Sequence, residues 1–332
     1  MNILIVGYGS IGKRHVKNII DNFDAHVIIC TKQKNVNLSR KNIHIVKSIE
    51  DGINQHPDIA FITNETSFHV KSALQLANKG IDLFIEKPLS NSMKDVSKLK
   101  KIVNKKKLIT MIGCNLRFYP PIKKIKDLIE RQEIGKILSV QVDSSSYLPD
   151  WHPCEDYRKG YAARKELGGG IVLTAIHELD YLHWIFGDVC EVFSVSEKIS
   201  DLKLSVEDYS AAILKFENNV IAEVHLDFFQ RPYFKSFKIK GTKGIITWNT
   251  DTNLVKVFNA RLKKWKTAMN STTSLLTSPI QNNEMYVDEL KHFFHCVNKR
   301  TKTINDLDGG TRSLKTALAL KKSSKLRRTI SV

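Results

Sequence analysis

The chain has 332 residues, 42% of them hydrophobic, and a formal net charge of +18. That length suits two domains with real cores, and no window approaches the ~20 apolar residues of a membrane span. Cys30, Cys114, Cys154, Cys190 and Cys296 are scattered without CxxC spacing. This argues against a disulfide framework or a zinc ribbon and for the reducing cytoplasm.

The first expected strand begins at Asn2, so no signal peptide is expected. The positive charge suits anionic small molecules such as nucleotide cofactors and sugar nucleotides. It also suits lysines that simply decorate solvated faces. Small clusters fall at Lys105-Lys106-Lys107 and from Lys321 to Arg328. None is interleaved with aromatics as a strand-binding groove would be, so neither nucleic acid nor membrane is an expected partner.

Asn2 to Val6 reads as an apolar strand, closed by Gly7-Tyr8-Gly9-Ser10-Ile11-Gly12 and followed by a helix from Ile11 to Ile20. Further strands are expected over His26–Cys30, Ile43–Val46, Asp58–Thr63, Ile81–Ile85 and Leu108–Ile112. Helices are expected over Ser67–Asn78 and from Asn91 or Ser92 to near Lys105. Strands alternating with helices at this spacing mean a parallel sheet covered on both faces.

After Pro120-Pro121 the rhythm changes. A helix (Ile122–Arg131), a strand (Lys136–Tyr147), an irregular aromatic segment (Leu148–Leu167) and a helix (Gly170–Phe186) lead into consecutive strands. These run over Val189–Ser196, Tyr209–Phe216, Val220–Phe228, Phe234–Lys240, Ile245–Trp248 and Leu254–Phe258. Asn218-Asn219 and Gly241–Gly244 are hairpin signals, so this half is α+β with an antiparallel sheet. The polar stretch Asn270–Ser278 reads as a mobile loop, and helices over Glu284–Val297 and Thr311–Ser323 close the chain. The division expected is 1–118 for nucleotide and 119–332 for substrate and oligomerisation.

A GxGxxG pattern between a strand and a helix marks a dinucleotide site. Gly7 permits the turn, Gly9 lets the backbone approach a pyrophosphate, and Gly12 allows close helix packing. An acid gripping the adenosine ribose would end the second strand, yet Ile29-Cys30-Thr31-Lys32-Gln33-Lys34 contains none. Thr31 and Lys32 instead suit a 2′-phosphate, which favours NADP over NAD. Thr63 and Asn64 end a strand on the same sheet edge and either flank the cofactor ribose or form a plain connection.

Lys87, in Glu86-Lys87-Pro88, follows an apolar strand on that same edge. An ammonium there can stabilise a developing alkoxide or hold substrate and cofactor in register. Downstream of Gly168-Gly169-Gly170, a continuous helix would put Thr174, His177 and Asp180 on one face. His177 can accept a hydroxyl proton as hydride leaves its carbon. Tyr147, Trp151, Tyr157 and Arg158 lie in a dense aromatic-polar loop suited either to a sugar and its anionic group or to a subunit contact. His152 beside Cys154 is too little for a metal site, and no metal is expected.

Together these motifs resemble the Gfo/Idh/MocA oxidoreductases, the glucose-fructose oxidoreductase and inositol dehydrogenase relatives. The resemblance runs essentially end to end. It rests on the glycine fingerprint, His69 after Thr63-Asn64, Glu86-Lys87-Pro88, Gly113-Cys114-Asn115-Leu116-Arg117-Phe118, the triple glycine with His177, and the closing Asp308-Gly309 helix. It implies an N-terminal Rossmann domain and a C-terminal α/β domain whose large open sheet makes a homodimer or homotetramer interface.

It also implies Lys87 as the catalytic or positioning lysine and His177 as proton-transfer histidine. Asn115 and Arg117 would sit near cofactor and substrate, with His69 and Glu86 counted among the cofactor residues. The family often places an aspartate four residues before the histidine, where this chain has Leu173, followed by Thr174. A hydroxyl cannot offset an imidazolium charge, a difference of roughly 1–2 kcal/mol, or about tenfold in rate. Asp180 can substitute, or Lys87 can carry more of the proton chemistry.

The Leu148-Pro149-Asp150-Trp151-His152-Pro153 stretch resembles relatives associated with bacterial surface-sugar pathways. The expected activity is therefore NAD(P)-dependent hydride transfer on a sugar or nucleotide-activated sugar. The alternative is a non-catalytic nucleotide- or redox-sensing module of the same fold.

Overall fold

The computed structural model describes residues 1–34, 36, 42–271 and 283–332. From residue 272 onward, the loop expected over Asn270–Ser278 lies outside the described residues. Contacts divide the chain into two units, Met1–Cys114 with Tyr286–Leu314, and Asn115–Met285 with Lys315–Val332.

The first unit is built on six parallel strands: β1 (Asn2–Val6), β2 (His26–Cys30), β3 (Ile43–Val46), β4 (Ile59–Ile62), β5 (Asp82–Glu86) and β6 (Thr110–Gly113). Ile3-Leu4-Ile5, Ile59 through Ile62 and Leu83-Phe84-Ile85 are each fully buried. Unbroken apolar burial, rather than alternation, is what a parallel sheet covered on both faces requires. The strand order is β3-β2-β1-β4-β5-β6, a doubly wound sheet that reverses direction between β1 and β4. Ligands of such sheets bind outside the carboxyl ends at that reversal.

The crossovers use α1 (Ser10–Asn22), α2 (Ile49–Ile53), α3 (His69–Asn78) and α4 (Val96–Lys106). The last begins later than Asn91 or Ser92 because Asp95 sits at φ +60°, a left-handed conformation that starts no helix. Residues 286–314 group with this unit although they lie far beyond 118 in sequence. Their aromatics explain why. Phe293 and Phe294 pack edge-on against Phe61, and Phe294 against Phe23. The Ile112 amide donates to Asn305 O at 2.8 Å, and the Thr303 hydroxyl donates to Thr110 O at 2.7 Å.

The second unit opens with α5 (Pro120–Glu130) and β7 (Ile137–Ser145), then short 3-10 turns through residue 167. Two helices follow, α6 (Ile171–Thr174) and α7 (Ile176–Phe186). The single helix expected from Gly170 to Phe186 is thus broken at Ala175 (φ −88°, ψ 30°). Further strands are β8 (Val189–Glu197), β9 (Tyr209–Phe216), β10 (Ile221–Asp227), β11 (Phe234–Gly241), β12 (Gly244–Asn249), β13 (Leu254–Asn259), β14 (Lys264–Asn270) and β15 (Ile330–Ser331). With β7 they make one sheet, ordered β14-β13-β12-β11-β7-β10-β9-β8-β15.

Only β7 and β10 pair parallel; the other neighbours are antiparallel. Here burial alternates, as in β9, where Ser210, Ala212, Leu214 and Phe216 point inward. One face therefore packs under helices and the other faces outward. The two late helices are α8 (Glu284–Lys299) and α9 (Leu307–Leu326). β14 and β15 were not expected. The first is an exposed edge without apolar alternation, and the second is two residues long.

Candidate active site

The carboxyl edge of the parallel sheet collects the expected nucleotide residues of the first unit. Gly7 sits at φ +100°, and a Cβ there would lie 2.6 Å from the Asn64 amide nitrogen. A Cβ on Gly12 would lie 2.4 Å from Gly7 O. Gly9 differs: its conformation is ordinary, and among the described residues a Cβ would meet nothing within 4 Å. The backbone at Gly9 and the start of α1 thus faces open space. α1 has no acid in its first turn and no side-chain cap at Gly9, which leaves its first-turn amides open to an anion. These residues fit a dinucleotide pyrophosphate.

Thr63 and Asn64 follow β4 beside this loop. The Thr63 hydroxyl donates to Gly7 O (2.8 Å), and the Asn64 amide donates to the Ser72 hydroxyl (3.1 Å). Thr31 ends β2 nearly buried, its hydroxyl accepting from the Gln33 amide at 3.2 Å, while Lys32 is exposed. Gln33, absent from the expected set, reaches back to donate to Tyr8 O at 3.0 Å.

Lys87 is half-buried at the tip of β5, and its peptide bond to Pro88 is cis. Glu86 and His69 were expected to touch the cofactor, but both are buried. Glu86 Oε1 accepts from His15 Nε2 at 2.7 Å, and Oε2 accepts from the Lys87 amide at 3.2 Å. His69 Nδ1 lies 2.8 Å from Pro88 O, and Nε2 lies 2.9 Å from Asn64 O. Burial pushes the His69 pKa down, against the opposing pull of those two carbonyls and of Glu86. His15 carries no motif signal, since a helix-face histidine is ordinary in a sequence.

In the second unit His177 stands half-buried in the first turn of α7. Thr174 is buried and ends α6, so the break at Ala175 separates it from the helix that carries His177 and Asp180. Asp180 and Arg117 are bonded to each other, Nε to Oδ2 at 2.7 Å and Nη2 to Oδ1 at 2.9 Å. At 4% and 1% side-chain exposure, they form a brace rather than a surface for substrate. Asn115 is buried at the start of the turn Asn115–Phe118 that carries Arg117.

Glu178, fully buried, pairs with Lys235 of β11, and sequence reasoning missed both. The aromatic loop is tied down as well. The Trp151 indole donates to the Ser146 hydroxyl (3.1 Å), and the Tyr157 hydroxyl accepts from the Lys203 amide (3.1 Å). The Tyr147 ring lies 3.7 Å beneath the Arg231 guanidinium, which forks onto Asp150. Arg158 is exposed and forks onto Asp156, holding that carboxyl below its ordinary value. With Arg164, Lys198 and Lys203 it lines an open cavity of about 600 Å³.

Two family models match the chain. One, an oxidoreductase family with NAD-binding Rossmann fold, covers residues 1–114, and the other, the GFO/IDH/MocA C-terminal domain, covers 122–247. Myo-inositol 2-dehydrogenase of Thermotoga maritima is 26% identical over 74% of this chain and 74% of its own length. The oxidoreductase YrbE of Bacillus subtilis, itself uncharacterized, is 29% identical over 66% of this chain, and the match spans 65% of its length.

Among solved structures, myo-inositol 2-dehydrogenase from Lactobacillus plantarum superposes with a TM-score of 0.83 at 20% identity, covering 100% of this chain and 99% of that one. The WlbA dehydrogenase from Bordetella pertussis, in complex with NADH and UDP-GlcNAcA, gives 0.83 at 18% identity, covering 100% and 97%. At such identities the structures share the fold.

Proposed function

The chain belongs to the Gfo/Idh/MocA oxidoreductase family, and we propose that it transfers hydride between a nicotinamide dinucleotide and a hydroxyl-bearing carbon of a sugar or nucleotide-activated sugar. One observation carries this reading. Lys87 follows β5 on the same carboxyl edge that presents the open backbone at Gly9. When bound, the nicotinamide supplies the hydride acceptor for oxidation or the donor for reduction.

In the oxidative direction, His177 takes the hydroxyl proton on an imidazole nitrogen as the carbon–hydrogen bond gives up its hydride and the carbonyl forms. Lys87 holds its ammonium against the reacting oxygen, where negative charge develops. Arg117 and Asp180 hold the start of α7 from behind. Asn115, Thr174, Tyr147, Trp151 and Tyr157 shape the substrate's surroundings, and Arg158 with its neighbouring cations suits an anionic substituent. Relatives named for myo-inositol, and one fold relative complexed with UDP-GlcNAcA, bound the substrate class.

The absence of a carboxylate after β2 and the exposed ammonium of Lys32 favour NADP over NAD. The outward face of the second sheet supports homodimer or homotetramer assembly, because Phe193, Val195, Ile213 and Ile221 stand there 42–46% exposed. A non-catalytic sensing module is the second reading, favoured by Leu173 and Thr174 where relatives often carry an aspartate.

The Lys87→Met variant decides between them. With NAD(P) and a panel including myo-inositol and UDP-GlcNAcA, wild type turns over and the variant binds nucleotide without turnover. Near-normal turnover in the variant would remove Lys87 from the chemistry. No turnover by wild type on any compound would favour the sensor.

A further inference from the structure

We infer that Lys87 is held from both sides by two buried histidines, His15 acting through Glu86 and His69 acting through Pro88, which makes all three positioning residues. The inference rests on the reading of Lys87 given above. His15 is on α1, the helix that starts at the glycine loop, and it is 0% exposed among Phe61, Phe84 and Tyr286. Its Nε2 donates to Glu86 Oε1 at 2.7 Å, and the other Glu86 oxygen accepts from the Lys87 amide at 3.2 Å. Among the described residues His15 Nδ1 has no hydrogen-bond partner.

On the other side, His69 lies between Pro88 O and Asn64 O at 2.8 and 2.9 Å, donating to one of them as a neutral ring and to both when protonated. Asn64 is the residue whose backbone presses on Gly7. Each histidine therefore joins the segment carrying Lys87 to a part of the phosphate-binding edge, α1 on one side and the Gly7–Asn64 contact on the other. Backbone flanking Lys87 is restrained both before and after it. Two buried imidazoles bonded to one three-residue segment exceed what an ordinary strand end needs. Preorganisation of a reacting ammonium is the role that accounts for both.

The test is the acetylation rate of Lys87 by acetic anhydride, read by peptide mapping and referred to exposed Lys17 on α1 in the same sample. Reactivity of a held side chain follows how often the segment opens, so His69→Asn and Glu86→Ala should each raise the Lys87 rate by about threefold or more. Glu86→Gln keeps the shape of the side chain and can still accept from His15 Nε2–H, but it turns an NH2 toward the Lys87 amide and breaks that link, so it too should raise the Lys87 rate, a change that loss of packing would not give.

Unchanged Lys87 rates in both folded variants, or a wild-type rate in Glu86→Gln, would overturn the inference. If His69→Asn does not fold by circular dichroism, the two Glu86 variants decide. Protection of wild-type Lys87 by NADPH or NADH reads the site assignment separately. Without protection the assignment fails, while the apo rates still judge the bracket.

Discussion

Arg117 and Asp180 make a two-pronged ion pair, 2.7 and 2.9 Å, with both side chains almost wholly shielded from water. Such a pair contributes little net stability compared with apolar packing, but losing one partner strands a buried charge. Asp180→Ala should therefore cost roughly 3–5 kcal/mol, measurable by urea unfolding. Asp180→Asn should be milder, because the amide oxygen still accepts one bond. A loss below about 1 kcal/mol for Asp180→Ala would mean that Arg117 finds another partner or water.

The three glycines of the nucleotide loop should separate into fold and function. Gly7→Ala strains a left-handed residue against Asn64 and should destabilise the protein by about 1–3 kcal/mol. Gly9→Ala meets no protein atom within 4 Å, so its melting temperature should stay near wild type. If the loop holds the pyrophosphate as proposed, the added methyl would occupy its space, weakening dinucleotide binding about tenfold or more, equivalent to about 1.4 kcal/mol. Equal losses of stability and binding in both variants would contradict this division.

Lys32→Asp should invert cofactor choice. A carboxylate after β2 accepts from a 2′-hydroxyl and repels a 2′-phosphate. The ratio of NADPH to NADH affinity should fall at least about tenfold, judged by the strength of charge-assisted bonds. A ratio that does not move would place the discrimination elsewhere, with Gln33 the nearest candidate.

The pair His225 and Asp227 predicts a pH signature of stability. Their contact is 3.0 Å. The hydrogen bond to Asp227 raises the His225 pKa above its ordinary value, with burial working against it and the Asp143 charge adding to it. Burial alone would raise the Asp227 carboxyl, but bonds from His225, Ser145 and the Phe229 and Gln230 amides bring it below its ordinary value.

A raised histidine contributes stability that is complete below its unfolded pKa, near 6.5, and is lost as pH rises through the folded value. A depressed carboxyl contributes above its unfolded value, and that contribution is lost as pH falls through the folded one. Wild type should therefore lose more melting temperature between pH 6 and 9 than His225→Gln. Parallel curves would show that the pair is energetically silent.

The parallel sheet was legible because its strands are continuous apolar runs and its punctuation is glycine. The places of the glycine loop, Lys87 and His177 in the fold were legible for a similar reason, since each sits at a fixed offset from an element end. What local pattern could not carry was the pairing of buried polar groups distant in sequence. Arg117 and Asp180 are 63 residues apart, and His15 and Glu86 are 71 apart. Their mutual bonds give Arg117, Asp180 and Glu86 partners within the protein that no local pattern announces. The helix break at Ala175 was hidden because Ile171 through Phe186 is apolar enough to read as one buried helix. The attachment of residues 286–314 to the first unit depends on aromatic contacts that no linear boundary reveals.

The most direct test of the central claim is a fluorescence titration of the purified protein with NADPH and with NADH. The account predicts saturable binding of both with NADPH the tighter. If neither binds, and the denatured protein releases no trapped nucleotide, the assignment of a nicotinamide-dependent oxidoreductase is contradicted.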